Sequence, residues 1–313
     1  MKIAVVGAGA LGSVIGGLLL EAGLDVVLVE RNHEEVRLVR EKGLWLEGVS
    51  GDRLLHPNIV AEASDAERVD LAFVLVKSYD TRAAAETVKA VLSDGGIVLT
   101  LQNGIGNFET LNEALPGRVL LGTTTMGAMT LAPGRFRHTG FGVTHLGEGD
   151  GKITDRARSV GAIVEKIKAG PVHVVDNAVG CVWSKLIVNA AINAPGTLLR
   201  VRNGDIPGTE AGRALIHSIV QECLNIVAAK GIRLVFEDAE QHVLAVCQGT
   251  AANLNSMFQD ILAGRRTEVD FINGALAREG EEVGVPAPVN NTLALIVRAL
   301  EATRSVRIPD ANA

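Results

Sequence analysis

The apolar positions of this chain fall into two regimes. In the first half they form short continuous runs, Ile3–Val6, Val26–Val29, Val69–Val76 and Gly96–Leu101. Unbroken runs of about four to eight such residues mark strands buried on both faces, as in a parallel sheet covered by helices. Stretches of helical spacing separate them, Ala10 to about Glu21, His33–Lys42, Thr81–Leu92 and Asn107–Leu115. A short strand at Val119–Leu121 ends at Gly122-Thr123-Thr124-Thr125, and strand-like pieces lie near Leu44–Leu46 and Asp52–Leu55. Strand and helix in alternation predict a doubly wound α/β domain.

From Met126 to Gly147 the pattern changes to short alternating segments, Gly134–His138 and Gly142–Leu146. Alternation of this kind predicts an antiparallel extension of the sheet. A helix (Ile153–Ala169) and a strand (His173–Val175) complete a first domain at residues 1–176. From Asn177 the second regime begins: four or five helices fill residues 177–313. Thr209–Ala229 shows it best, with Ala214, Leu215, Ile219, Cys223, Ile226 and Val227 at helical spacing before a stop at Gly231. No internal repeat and no low-complexity linker intervenes, so the two domains are expected to pack directly and form a cleft.

Chemistry enters at the first turn. Gly7-Ala8-Gly9-Ala10-Leu11-Gly12 lies between the first strand and the first helix. Gly7 makes the tight turn, Gly9 lets a pyrophosphate approach the backbone, and Gly12 lets the helix lie close on the strand. The exposed N–H groups at the helix start suit the phosphate charge. Glu30, 18 positions after Gly12, closes the second strand and is placed to bind a ribose hydroxyl. The context predicts a Rossmann-type dinucleotide domain. Ligands of such sheets sit beyond the carboxyl ends of the strands, so Lys77, Asn103 and Thr123 to Thr125 are expected to face the same cleft. A rival reading takes the uncharged run from Ile3 to Leu20 as a signal peptide or membrane span. Five glycines in that run, the β-branched residues before Gly7 and the strand that follows at once favour a buried βαβ unit instead.

Composition narrows the partners. In 313 residues, 47% are hydrophobic and 21% charged, ordinary globular usage for a chain long enough for two cores. A net charge of −6 without a basic cluster argues against a nucleic-acid surface, and aromatics at 3% argue against base-stacking platforms. Cys181, Cys223 and Cys247 are widely spaced in apolar helical patterns, with neither metal-binding nor disulfide spacing. They read as buried packing residues of a cytoplasmic protein.

Two segments of the helical half carry polar groups in apolar surroundings. Lys185, Asn189 and Asn193 recur every four residues, which gathers them within about 80° on one side of a helix. Their bland reading is a lysine reaching for the rim and two asparagines bonded to nearby backbone. With a dinucleotide turn upstream, a substrate-facing row is favoured. The second segment holds Asn255-Ser256-Met257 and, farther on, Thr267-Glu268-Val269-Asp270. Thr267 reads as a helix N-cap with Glu268 in the first turn, so Glu268 has a purely structural reading too.

Taken together, the glycine turn, Val76-Lys77, Gln102-Asn103-Gly104, Gly122-Thr123-Thr124-Thr125, the Lys185/Asn189/Asn193 row, Ser256-Met257 and Thr267-Glu268-Val269-Asp270 resemble the ketopantoate reductases (2-dehydropantoate 2-reductases). The resemblance covers nearly the whole chain; the combination is specific, no single piece of it is. It implies a Rossmann domain followed by an all-helical domain, and reduction of 2-dehydropantoate to (R)-pantoate on the route to pantothenate and coenzyme A. It implies Lys185 as general acid and Glu268 as the group that positions Lys185 and the hydroxyl end of the substrate. It assigns substrate binding to Asn103, Asn189, Asn193 and Ser256. Hydride arriving at a ketone carbon leaves negative charge on oxygen, which a proton-bearing cation stabilises, so no metal is required.

The cofactor signals conflict. The family usually prefers NADPH, with a basic residue after the second strand meeting the 2′-phosphate, and Arg31 matches it. Glu30 beside it favours the 2′-hydroxyl of NADH. NADP(H) is slightly preferred on family grounds. Rival functions are a D-2-hydroxy acid dehydrogenase of the mandelate type, acting on other branched or aromatic 2-keto acids, and a non-catalytic NAD(P)H sensor. The apolar helices of the second half suit either a homodimer interface or a core.

Overall fold

In the computed structural model, which describes residues 1–306, the chain forms two compact units. The first comprises Met1–Gln102 and Gly106–Cys181; the second comprises Asn103–Ile105 and the chain from Val182 onward.

The first unit runs β1 (Lys2–Val6), α1 (Ala10–Glu21), β2 (Asp25–Val29), α2 (His33–Lys42), β3 (Leu44–Gly48), β4 (Arg53–Leu55), β5 (Asn58–Val60) and β6 (Val69–Val74). It continues with α3 (Thr81–Val91), β7 (Leu92–Thr100), α4 (Asn107–Ala114), β8 (Val119–Thr124), β9 (Gly127–Ala132), β10 (Arg135–Gly140), β11 (Thr144–Glu148), α5 (Asp155–Glu165) and β12 (Val172–Val174). The main sheet has the order β12-β11-β8-β7-β6-β1-β2-β5. Strands β5, β2, β1, β6, β7 and β8 are parallel, and β11 pairs antiparallel with β8. This is the doubly wound order, and it reverses direction between β1 and β6.

Continuous apolar strands follow from burial on both sides. In β1, Ile3 and Val5 join one core while Ala4 and Val6 join the other; in β2, Val26 and Leu28 divide likewise from Val27 and Val29. Each Val, Leu or Ile so buried stabilises the sheet by about 1.5–3 kcal/mol relative to exposure, and Ala4 by less. Helix α1 owes its uncharged sequence to the same cause. Its Val14, Ile15, Leu18 and Leu19 share a core with Leu28 of the main sheet and with Leu44, Leu46 and Phe136 of a second, four-stranded sheet ordered β4-β3-β10-β9. Both flanks are covered, so no polar face is needed. Among the described residues no helix is long and apolar enough to cross a membrane.

The second sheet modifies the expected antiparallel extension. Thr144–Glu148 does extend the main sheet, but Arg135–Gly140 pairs with β3 and β9 instead. Its alternating residues Phe136 and His138 are buried, because this strand helps cover α1. Strand β5 has only three residues, too few to show a period in the sequence.

Helix α6 (Ala178–Leu199) carries the chain into the second unit, which continues with α7 (Glu210–Ala229), α8 (Ala239–Gly249), α9 (Ser256–Leu262), α10 (Asn273–Glu282) and α11 (Pro288–Ala302). Among the described residues this half thus has six α-helices, more than the four or five expected; the seven-residue α9 is too short for periodicity to reveal. A buried polar chain orders the unit. The Glu222 carboxylate accepts the backbone N–H groups of Val289 and Asn290 and the side-chain amide of Asn290. Asn273 Nδ2 donates to Asn290 Oδ1 and to the Ala190 carbonyl of α6. Glu222, Asn273 and Asn290 are buried, and an unmade bond at a buried polar group costs about 1–3 kcal/mol.

Candidate active site

The first cluster stands at the carboxyl ends of β2, β1 and β6, neighbours in the sheet. Gly7 has φ +95°, the left-handed region that a side chain strains to enter, and its N–H donates to the Val29 carbonyl at 2.9 Å. A Cβ on Gly12 would stand 1.9 Å from the Gly7 carbonyl oxygen, so only glycine lets α1 start this close to β1. Ser13 Oγ donates to the Ala8 carbonyl at 2.6 Å and pins the turn. Gly9 is the N-cap of α1, supplies no side-chain cap, and has open space where a Cβ would be. The first N–H groups of α1, from Ala10, Leu11 and Gly12, therefore meet a cradle without side-chain obstruction. An anion of pyrophosphate type fits it.

At the end of β2, Glu30 Oε1 accepts the Asn32 N–H at 3.0 Å. Arg31 forks onto Asp80 at 2.8 and 2.7 Å, a partner the sequence reading missed. Lys77 precedes the 3-10 turn Ser78–Asp80 that leads into α3. Buried hydrogen bonds fix this turn. Gln102 Nε2 donates to the Val76 carbonyl and to Thr81 Oγ1, both at 2.8 Å. Thr81 Oγ1 in turn donates to Asn107 Oδ1 at 2.7 Å, and Asn107 Nδ2 donates to Ser78 Oγ at 3.1 Å.

Thr123 stands elsewhere than expected. It is not on a turn but inside β8, buried and opposite His145 of β11. Threonine is β-branched and fits a strand, and the adjacent Thr124 finds a buried partner in the Thr144 hydroxyl at 3.0 Å. The carboxyl end of this strand therefore falls beyond Thr124.

The second cluster belongs to the helical unit. Lys185 lies on α6 with part of its surface open, yet its amine is deeply enclosed. Burial disfavours the charged form and lowers its pKa from 10.5 to about 8, against the pull of the Glu268 carboxylate in the other direction. Glu268 is only 6% exposed. It precedes the 3-10 turn Val269–Phe271 without capping it, and α10 begins only at Asn273. Thr267 Oγ1 accepts the Val269 N–H at 3.3 Å. A helix-start role does not account for a buried carboxylate beside a buried amine.

The same turn gathers Asn103. Two residues on, Ile105 donates its N–H to the Phe271 carbonyl at 3.1 Å, and the intervening Gly104, at φ +79°, lies so close that a Cβ would stand 2.4 Å from that oxygen. Asn189 and Asn193 follow Lys185 on α6, with Asn193 buried. One turn farther, Thr197 is buried and donates to Asn255 Oδ1 at 3.4 Å. Asn255 caps α9 by accepting the Phe258 N–H at 2.9 Å, which sets Ser256 as the exposed first residue of α9. Extending the four-residue spacing by one step would have found Thr197. Among the described residues no group of three or more His, Cys, Asp or Glu is arranged to hold a metal.

Comparison with known proteins assigns the family. The profile described as "Ketopantoate reductase PanE/ApbA" matches residues 3–151, and "Ketopantoate reductase PanE/ApbA C terminal" matches residues 177–301. The chain belongs to the ketopantoate reductase family. A 2-dehydropantoate 2-reductase of Archaeoglobus fulgidus is 37% identical over 302 residues, covering 96% of this chain and 98% of that protein. The crystal structure of a PanE/ApbA family ketopantoate reductase from Ralstonia eutropha JMP134 superposes with a TM-score of 0.90 at 31% identity, covering 97% and 100% of the two chains. D-mandelate dehydrogenase, solved with NADH and anilino(oxo)acetate, shares the ketopantoate reductase fold with a TM-score of 0.90 at 28% identity over the same shares.

Proposed function

We propose that this protein is a 2-dehydropantoate 2-reductase that uses NAD(P)H to make (R)-pantoate, with Lys185 as general acid. The observation that carries the reading is a lysine amine enclosed beside a buried carboxylate, with its pKa lowered to about 8. When bound, the reduced nicotinamide supplies the hydride. Residues 1–176 hold the dinucleotide through the backbone of Gly7 to Gly12, with Lys77 and Thr123 in the same half, and residues 177–313, joined by Asn103, hold the keto acid. The Lys185 ammonium stabilises the charge that develops on the ketone oxygen and gives it a proton. A pKa near 8 makes that proton transferable near neutral pH. Glu268 offsets part of the cost of burying the ammonium and receives the substrate hydroxyl. Asn103, Asn189, Asn193 and Ser256 supply amide and hydroxyl groups to the substrate carboxylate and hydroxyl without adding charge.

Curated relatives of the reductase name support this substrate more directly than the mandelate dehydrogenase structure, which is similar at lower identity. For the cofactor, Arg31 favours a 2′-phosphate and Glu30 a 2′-hydroxyl, and family habit tips the reading to NADP(H). Self-association through the helical half fits the exposed Leu295 and Ile296 of α11, and sedimentation would read it. A cytoplasmic setting agrees with the unpaired Cys181, Cys223 and Cys247. The function is tested by kcat/KM for 2-dehydropantoate against an aromatic 2-keto acid with each cofactor. The expected preference for 2-dehydropantoate is about 10²-fold or more. Comparable values would contradict the assignment.

A further inference from the structure

Arg31 and Asp80 lie 49 positions apart in the sequence, yet in the structure they form a two-pronged pair at the end of β2. The two partners are unequal. Arg31 is an exposed arm, with 73% of its side chain open, whereas Asp80 is 22% exposed. Asp80 is also the N-cap of α3, a position where aspartate ordinarily accepts helix N–H groups. Here it makes no such bond and spends both carboxylate oxygens on Arg31. Its backbone is held as well: the Asp80 N–H donates to the Lys77 carbonyl, and the next residue, Thr81, is locked between Gln102 and Asn107. Asp80 is therefore the fixed partner and Arg31 the movable one.

Asp80 takes the end-on edge of the guanidinium, Nη1 and Nη2, an edge that a phosphate fits as well as a carboxylate does. We propose that Asp80 is a specificity-determining residue that competes with a 2′-phosphate for Arg31, weakening binding of the 2′-phosphorylated dinucleotide relative to the unphosphorylated one. The proposal rests on the reading of the glycine turn as a dinucleotide site. A 2′-phosphate taking that edge must displace a charge-assisted bidentate bond, and one taking the Nε edge meets a guanidinium whose charge Asp80 already offsets, with Glu30 beside it. A 2′-hydroxyl meets neither cost, because it carries no charge and can donate to a carboxylate.

Calorimetric titration of the full chain with NADPH, NADH and adenosine 2′,5′-bisphosphate tests this, on the unaltered protein, Asp80→Asn, Arg31→Ala and the double variant. Asp80→Asn is expected to raise the NADPH-to-NADH affinity ratio about five- to tenfold and to tighten the bisphosphate by a similar factor. In the Arg31→Ala background the same change should do much less, because the competition has been removed. A lower ratio in Asp80→Asn would overturn the proposal, since Asp80 would then be orienting Arg31 for the phosphate. Equal changes for NADPH and NADH would overturn it too. If the unaltered protein bound neither dinucleotide, the reading of the glycine turn would fall, and this role with it. Thermal unfolding of each variant shows whether it is folded, and Asp80→Ser provides a second variant with a shorter side chain.

Discussion

The Lys185 amine lies under two opposed influences, with enclosure lowering its pKa and the Glu268 carboxylate raising it, and enclosure prevails. Proton donation requires the ammonium form, so kcat/KM for keto acid reduction should be constant below about pH 8 and fall tenfold per pH unit above it. Glu268→Gln removes the raising influence, and the alkaline limb should move to lower pH. A limb that stays in place would show that the titrating group is not Lys185. The stability effect has the opposite sense. Between about 8 and 10.5 the folded chain binds fewer protons at Lys185 than the unfolded chain, so its destabilising effect is full below 8 and is relieved as pH rises through that window.

Thr197 and Asn255 join the polar row of α6 to the start of α9. Thr197→Val keeps the shape and removes the donor. We expect KM for the keto acid to rise about three- to tenfold, the equivalent of one lost buried hydrogen bond, with dinucleotide affinity unchanged. Steady-state kinetics alongside a cofactor titration separates the two effects. An unchanged KM would show that the Thr197–Asn255 bond does not shape the substrate site.

Gly12 and the Gly7 carbonyl approach too closely to admit a methyl group, since a Cβ would stand 1.9 Å from the oxygen. Gly12→Ala should force α1 away from β1, weaken dinucleotide binding by at least about tenfold and lower stability by about 1–3 kcal/mol. Fluorescence titration and denaturant unfolding measure the two. Unimpaired binding would mean that the start of α1 does not hold the cofactor.

How much of this was legible in the sequence depended on the range of the interactions. The doubly wound sheet was legible because β1, β2 and β6 are buried on both faces, a condition that acts locally and leaves unbroken apolar runs. Helix α1 gave an ambiguous signal for the same reason: a helix covered by two sheets is as uncharged as a membrane span. The row on α6 was legible because helical spacing is local. The pairing of Arg31 with Asp80, the capture of Gly104 and Ile105 by Phe271, and the link from Thr197 to Asn255 were not legible. Each joins residues far apart in the chain, and nothing in the local pattern specifies the partner. Thr123 was misplaced because a Gly-Thr-Thr-Thr string reads as a turn unless one knows that β11 returns to pair with it. Gly134–His138 was assigned to the wrong sheet because alternation reports one covered face without saying what covers it.

The most direct test of the account is Lys185→Ala, read by the rate of 2-dehydropantoate reduction together with the dissociation constant of the dinucleotide. The predicted result is a fall in kcat/KM of about 10²–10⁴-fold with cofactor affinity within a factor of about two. Turnover within about tenfold of the unaltered protein would contradict the role given to Lys185 and the mechanism built on it.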